Sequence, residues 1–514
     1  MPVALLLALG ACRCGDGTAL TTFFTDLRYT RDGRALVLEA TDGLYAASPA
    51  TDDPRRLTAE HCTSSTTYAL DCVRVSPDGA RVAALLRPTT EGERELDIFE
   101  LHQWRFEDLG EERASKVADG VIDAAYTPDG RELVWVRLNA YETGVAVYRL
   151  GPGEVEEELI AAITLGAGDP ADAMGTVVLT SFGVAYPRVI GKELELWLRT
   201  FDGELLDIGR LPVECAGTAL AGCVFPSPDG TSLVWQEEKS GVIHVYRVHR
   251  QLDLPLGQGY GFAFSRSGAF ALRMGYSPEA AYVQRMDTAA LVRGAEAISA
   301  ELSFDGETLA RLVVESKALG TARLFIGPSR QDGRDNDYGV FTGPPVRPLF
   351  GSSVGFAEID HGFTGDGRYL VVAEKGEGEG MASLVAVNAF TSERLVLGEL
   401  GCADCCVVAP EGALVVCLPA PSSSVNGAWS IDLYDPATGK RTRASESAID
   451  VQPLNDGSGV AVQQYSGDIP ELLVVTKDGR SASLGATVRF AVSPTGPQIA
   501  RINSLGSLEV GPLP

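Results

Sequence analysis

The chain has 514 residues, far more than one average domain, and 45% of them are hydrophobic; a large repeat array or two domains is expected, and disorder over most of its length is excluded. Its 43 basic against 69 acidic residues leave a formal charge of −26, which excludes the basic face that phosphate contacts need and any broad attraction to anionic headgroups. With 57 Gly, 28 Pro and no long stretch of helical periodicity, the composition points to turn-rich β structure.

The first element is an apolar run from Val3 to Ala11. It is too short for the roughly 20 residues that span a bilayer, yet it suits the hydrophobic region of a signal peptide. The run ends in Leu9-Gly10-Ala11-Cys12. That tetrapeptide resembles a bacterial lipobox, in which small residues admit the peptidase and the cysteine takes the lipid. The resemblance implies export, lipidation at Cys12 and a tether over residues 1–19. The sequence departs from the usual signal in having no Lys or Arg before the apolar run. No other segment is apolar enough to cross a membrane, so anchoring would rest on Cys12.

From residue 20 the chain repeats itself. Val75-Ser76-Pro77-Asp78-Gly79, Tyr126-Thr127-Pro128-Asp129-Gly130 and Pro226-Ser227-Pro228-Asp229-Gly230 each lie between two apolar segments. Pro presets φ for a turn, Asp bonds nearby N–H groups, and Gly accepts positive φ, so each motif reverses one strand into the next. Their aspartates are therefore turn residues and not ligands or catalytic acids. Weaker copies centre on Gly33, Gly268, Gly306, Gly367, Gly412, Gly457 and Gly496. The one long interval, between Gly130 and Gly230, is expected to hide a degraded copy near Val189-Ile190-Gly191-Lys192. Eleven units result. A third strand follows each hairpin, as in Val145 to Arg149 and Ile243 to Arg247, and short segments such as Glu393 to Leu397 supply a fourth.

A Ser-Pro-Asp-Gly turn, an apolar strand and a later strand carrying Tyr make the chain similar to the PD40 or TolB-like β-propeller family over most of residues 20 to 510. The resemblance implies an all-β propeller of about eleven four-stranded units. Single propellers usually hold four to eight blades, so two in tandem are expected, residues 20–298 and 299–514. A rival boundary falls at 331–351. The resemblance is to a blade and implies no activity, since unrelated functions share the fold.

Chemistry-bearing clusters are sparse. The five histidines, at 61, 102, 244, 249 and 361, form no spaced ligand pair. No terminal region is helix-rich, and the chain leaves no room for the α/β-hydrolase domain of propeller peptidases. The longest gap between repeats contains Gln331-Asp332-Gly333-Arg334-Asp335-Asn336-Asp337-Tyr338-Gly339. Hard cations favour oxygen ligands on a short glycine-turned loop, so Asp332, Asp335, Asn336 and Asp337 are candidate calcium ligands. The segment is similar to part of the calcium repeats of secreted bacterial proteins, although Tyr338 and Gly339 stand where an acidic residue follows. A plain solvated loop is the competing reading.

The cysteines follow the repeat. Cys72, Cys223 and Cys405 each fall six residues before the acidic turn residue of their own unit, and Cys62, Cys215 and Cys402 lie just upstream. Bridges Cys62 to Cys72, Cys215 to Cys223 and Cys402 to Cys405 are expected. Cys406 and Cys417 flank the Pro410-Glu411-Gly412 turn symmetrically, a placement for a cross-strand bridge, and Cys405 and Cys406 can exchange roles. Cys-x-x-Cys also suits zinc, but the other pairs lack such partners. Cys14 is left as a free thiol in the tether. Bridges imply an oxidising compartment.

These features lead to an exported lipoprotein of the cell envelope, on the outer membrane facing periplasm or exterior, whose propeller binds an envelope protein or a glycan. No cofactor, catalytic residue or nucleic-acid partner is expected. The alternative is a hydrolase or lyase acting on polysaccharide through carboxylates on one propeller face.

Overall fold

The computed structural model describes residues 23–514 except for 31–32, 50–53, 59–71, 87–98, 106–114, 139–143, 152–157, 165–176, 191–192, 213–214, 216–219, 221–222, 238, 260, 266–267, 277–278, 289, 298, 304, 317–320, 330–334, 343–361, 376–381, 392, 401–405, 410, 418–428 and 467–468. Among the described residues the named elements are β-strands and one turn of 3-10 helix at Val248–Arg250. No helix among the described residues is long and apolar enough to cross a membrane.

The strands fall into eleven antiparallel units in chain order. Unit five shows the plan: Val224–Pro226, Ser232–Gln236, Val242–Arg247 and Leu252–Gln258 pair in sequence, each strand only with its neighbours in the chain. Apolar residues fill the two middle strands on both faces, because each unit is sandwiched between two others; Leu233, Val234 and Trp235 are all buried. Units two and three share one continuous strand, Ser115–Tyr126, which bends at a bulge between Val121 and Asp123 and changes partner there. Lys440–Pro453 and Ser481–Val492 serve the last three units in the same way. Among the described residues the inner edge of unit eight is an isolated bridge at Phe363, and unit eleven comprises Ser481–Val492 and two further strands.

The repeated turns adopt the geometry their residues dictate. In unit two the Gly79 N–H donates to the Ser76 carbonyl at 2.8 Å, and the Ser76 hydroxyl donates to the Asp78 carboxylate at 2.5 Å. The same hydroxyl oxygen accepts the Arg81 N–H at 2.9 Å, which registers the second strand. Thr127, Ser227, Ser303 and Thr364 repeat the arrangement. The turn of unit four is not at Gly191 as the spacing suggested. Gly183–Ile190 and Glu193–Thr200 are that unit's second and third strands, and the first turn lies at Thr180 to Gly183, where the Thr180 N–H donates to the Gly183 carbonyl at 3.0 Å. This turn is shorter than the others and lacks Pro and Asp, so no motif marks it.

Packing between units decides the overall arrangement. Of the eleven hydrophobic clusters among the described residues, ten join units adjacent in the chain and one joins the first unit to the last. Leu272 and Val283 of unit six meet Ala300 and Leu309 of unit seven, across residue 298. Leu324 and Tyr338 of unit seven meet Phe363 and Val385 of unit eight, across the rival boundary. The last cluster brings Phe24, Leu27 and Leu38 of unit one against Ala491, Ala500 and Ile502 of unit eleven, where the Phe24 N–H donates to the Gly506 carbonyl at 2.9 Å.

The turns tell the same story. Gly306, at φ +77°, leaves room for the Phe270 ring of the preceding unit, which a Cβ would approach to 2.7 Å. Gly33, at φ +70°, sits against Thr495 of unit eleven, whose hydroxyl a Cβ would meet at 2.3 Å. The units thus close as one ring. A propeller ending near residue 298 would return its sixth unit to its first; here unit six packs on unit seven and unit one on unit eleven.

Candidate binding face and channel wall

One face of the ring is built from turns. Because strands alternate in direction, the turn after the first strand and the turn after the third lie at the same end of a unit. The Phe182 ring, in the first turn of unit four, meets the His249 ring, in the second turn of unit five, at 5.8 Å. Neighbouring first turns are tied through backbone: the Ser181 N–H donates to the Gly230 carbonyl at 2.9 Å, Asp366 to Gly412 at 3.0 Å and Glu411 to Asn455 at 3.0 Å. The Arg81 guanidinium donates to the carbonyls of Gly130 and Arg131 in the next unit. The result is a rigid collar. Beside it, at the second turns, Leu205, Leu252, Leu291 and Phe390 are exposed.

The innermost strands form the wall inside that collar. Two residues before each turn's Ser or Thr stand Arg28 and Arg74 in units one and two, then Ala125, Val178, Phe225 and Ala263, then Glu301 in unit seven. The apolar stretch of this series coincides with a cavity of about 740 Å³ whose lining runs from Pro77 and Tyr126 through Leu179 and Phe225 to Phe264. Phe225 and Phe264 are half-buried, and Phe262 and Phe264 meet edge to face at 4.8 Å. The charged residues at its ends are engaged elsewhere. Arg74 pairs with Asp123 at 3.0 Å and donates to the Ala124 carbonyl at 3.0 Å, while Glu301 accepts the Gly362 N–H at 2.7 Å. The Tyr126 hydroxyl accepts from the Gln103 amide at 2.9 Å, and burial raises its pKa. Sequence reasoning passed over this wall, although the alignment of the turns contains its signal.

The cysteines lie where the turns and inner strands begin. Cys215 is bonded to Cys223, with Cα atoms 6.1 Å apart, and Cys406 to Cys417 across the first two strands of unit nine, with Cα atoms 4.1 Å apart. Cys72 is also disulfide-bonded. Cys12, Cys14, Cys62, Cys402 and Cys405 lie outside the described residues.

Of the residues proposed for calcium, Asp335 and Asp337 are paired with arginines. Asp335 accepts from Arg293 of unit six at 2.5 Å and from Arg311 of unit seven at 2.8 and 3.1 Å. Asp337 pairs with Arg323 at 2.6 Å, and Asn336 starts the outer strand Asn336–Thr342. Guanidinium groups occupy the positions a cation would take, because they neutralise the same carboxylates without stripping water from an ion. Asp332 lies outside the described residues. Among the described residues no group of three or more His, Cys, Asp or Glu is placed to hold a metal.

The described histidines have structural partners. His244 stacks on Trp235 at 5.4 Å and pairs with Asp253 at 2.9 Å. His102 pairs with Glu100 at 3.2 Å and stacks on Trp104. His249 is held below its ordinary pKa by burial and by the Arg247 and Arg250 charges. Burial and the neighbouring Asp26 carboxylate push Glu39, beside the first inner strand, up to about 7. One pentapeptide that sequence reasoning missed, Gly351-Ser352-Ser353-Val354-Gly355, has the Gly-x-Ser-x-Gly form of a hydrolase elbow and lies outside the described residues. That motif works on a strand-to-helix turn, and the described residues contain no α-helix.

A ring of antiparallel, mostly four-stranded units with the first strand innermost defines the chain as a β-propeller. No family model matches it, and no curated protein matches it. Among solved structures it is similar to TolB from Acinetobacter baumannii, at 13% identity and a TM-score of 0.26, covering 60% of this chain and 79% of that one. The β-propeller domain of Cps50 (Swd1) from Myceliophteria thermophila matches at 12% identity and 0.28, covering 57% and 96%. A eukaryotic initiation factor matches at 10% and 0.38, covering 91% and 90%. At such scores the fold class rests on the chain's own sheet order.

Proposed function

We propose that this protein is an exported propeller that binds a partner and performs no chemistry of its own, anchored through lipid on Cys12, with an envelope protein or a glycan as its partner. The rigid turn collar carries the binding reading. It holds loop residues in fixed positions around a ring, and exposed Leu252 and Leu291 sit on it in adjacent units, where a solvated surface would favour polar side chains. Export is supported by the disulfides, which persist in oxidising compartments. The apolar run before Cys12 supports the anchor.

The test is recovery of partners from detergent-solubilised envelope by tagged protein, with the double variant Leu252→Glu and Leu291→Glu as comparison. A protein or glycan retained by the parent and lost by the variant is expected. Equal recovery from both would refute the placement of the binding face. Fractionation of Cys12→Ser tests the anchor separately: the variant should leave the membrane fraction, and unchanged membrane association would refute lipidation.

A further inference from the structure

We infer that the cavity in the channel wall of units two to six is a binding site for one uncharged, largely hydrocarbon small molecule. The inference goes beyond the partner-binding reading, which concerns the turn collar, and rests on it only in taking the wall to bind and not to react.

The cavity is lined by Pro, Val, Leu, Phe and Ala side chains with two polar ones, Tyr126 and Ser227. Both are committed to the protein. The Ser227 hydroxyl donates to Asp229 at 2.5 Å and its oxygen accepts the Ser232 N–H at 2.9 Å, while the Tyr126 oxygen takes the Gln103 amide. A sugar placed here would surrender hydrogen bonds to water and regain few, at a cost of roughly 1 to 3 kcal/mol for each buried group left unmatched. An ion would fare worse. Among the described residues no charged side chain lines the cavity, and the protein as a whole carries −26, which repels anions.

What the wall does offer is apolar surface in contact with water. Phe225, Leu179 and Phe264 are half-buried, and Pro226 and Pro228 are exposed. Elsewhere in this protein such side chains on inner strands are covered by the next unit, as Phe363 is. A concave apolar patch left open on a rigid frame is the usual form of a ligand site, and about 740 Å³ lies within the roughly 300 to 1,000 Å³ of small-molecule pockets. The collar also fixes the frame: Ser181 and Gly230, which flank the cavity's turns, are hydrogen-bonded across units four and five, so the site is formed before the ligand arrives.

The experiment titrates the full protein with N-phenyl-1-naphthylamine, a neutral apolar dye that brightens when it leaves water. Saturable binding at one dye per chain is expected. Phe225→Ser and Phe264→Ser should each weaken it about tenfold, since each removes most of one half-buried ring from the contact. Val396→Ser, an exposed side chain on the outermost strand of unit eight, should bind as the parent does. Should the inner-strand variants fail to fold, Pro226→Glu provides the second measurement, because its side chain already faces solvent and places a carboxylate at the cavity mouth. Absence of saturable binding, or equal affinity in Pro226→Glu, would overturn the inference. Partner recovery from the envelope is read in a separate assay, so loss of dye binding with a partner retained sinks the cavity alone, and the converse sinks the partner face alone.

Discussion

Replacing Asp335 with Ala should cost this protein about 3 kcal/mol of stability, a large loss for a residue that sequence places on a solvated loop. The carboxylate is 10% exposed, Arg293 9% and Arg311 15%, so the three groups share a nearly dry site between units six and seven. Removing one member of such a set typically costs roughly 3 to 5 kcal/mol because the remaining charge is left buried. The lower end applies here. Arg293 keeps a hydrogen bond to the Pro328 carbonyl, and Arg311 keeps one to the Glu296 carbonyl at 2.6 Å and lies over the Phe325 ring at 4.5 Å. Asp335→Asn, which keeps an acceptor but not the charge, should lose less. Urea unfolding followed by far-UV circular dichroism reads the difference, and hydrogen exchange of Thr308–Ser316 should accelerate most, since that strand carries Arg311. A loss under about 1 kcal/mol would refute this account of the Asp335 ion pairs. Stabilisation of the parent by millimolar calcium that vanishes in Asp335→Ala would restore the metal reading in its place.

Glu39→Gln should stabilise the protein at pH 8 by at most about 3 kcal/mol and change nothing below pH 4, because a carboxyl with its folded pKa raised to about 7 is best tolerated protonated, and its contribution is lost as pH rises from the unfolded value through the folded one. Melting curves across that range check the sign, and a benefit that grows toward acid would contradict it. Reducing the Cys215 to Cys223 bridge by double substitution to Ser should cost about 2 to 3 kcal/mol for its short loop, read by urea midpoint; no change would show that the bridge restrains nothing in the unfolded chain. Residues 20–298 and 299–514 expressed apart should each fail to give a cooperative melt, since each would expose a face that the packing of Leu272 or Phe24 buries; two independent transitions would show two propellers in tandem. A fluorophosphonate probe should leave the chain unlabelled, and labelling at Ser353 would reopen a hydrolytic function.

Much of the fold was legible because its information is local. Ser, Pro, Asp and Gly specify a turn by their own dihedral and hydrogen-bonding preferences, and Ser76 reads as a turn residue whether or not unit three exists. Unit four was misread for the same reason. Its turn is made by the Thr180 backbone meeting Gly183, so the eye moves to Gly191, which joins two later strands. Blade number per ring was not legible at all. Ring closure depends on how Phe24 fits against Ala500, about five hundred residues away in the chain, and no single unit records that it has ten others to enclose.

The site divides along the same line. Disulfide partners such as Cys215 and Cys223 lie eight residues apart within one unit, so register alone brings them together on the page. Asp335 reads as a ligand candidate because carboxylates close in sequence resemble a ligand set, while the partners it has in the fold, Arg293 and Arg311, arrive from two other strands. The cavity is the intermediate case. Each inner strand contributes only two or three residues, too few to show a pattern alone, yet stacking the strands by their turns exposes a change from Arg74 to Val178 to Phe225 and back to Glu301. In a ring of repeated units the functional variable is the difference between equivalent positions, because whatever all units share is needed to build the blade and whatever one arc alone carries is not.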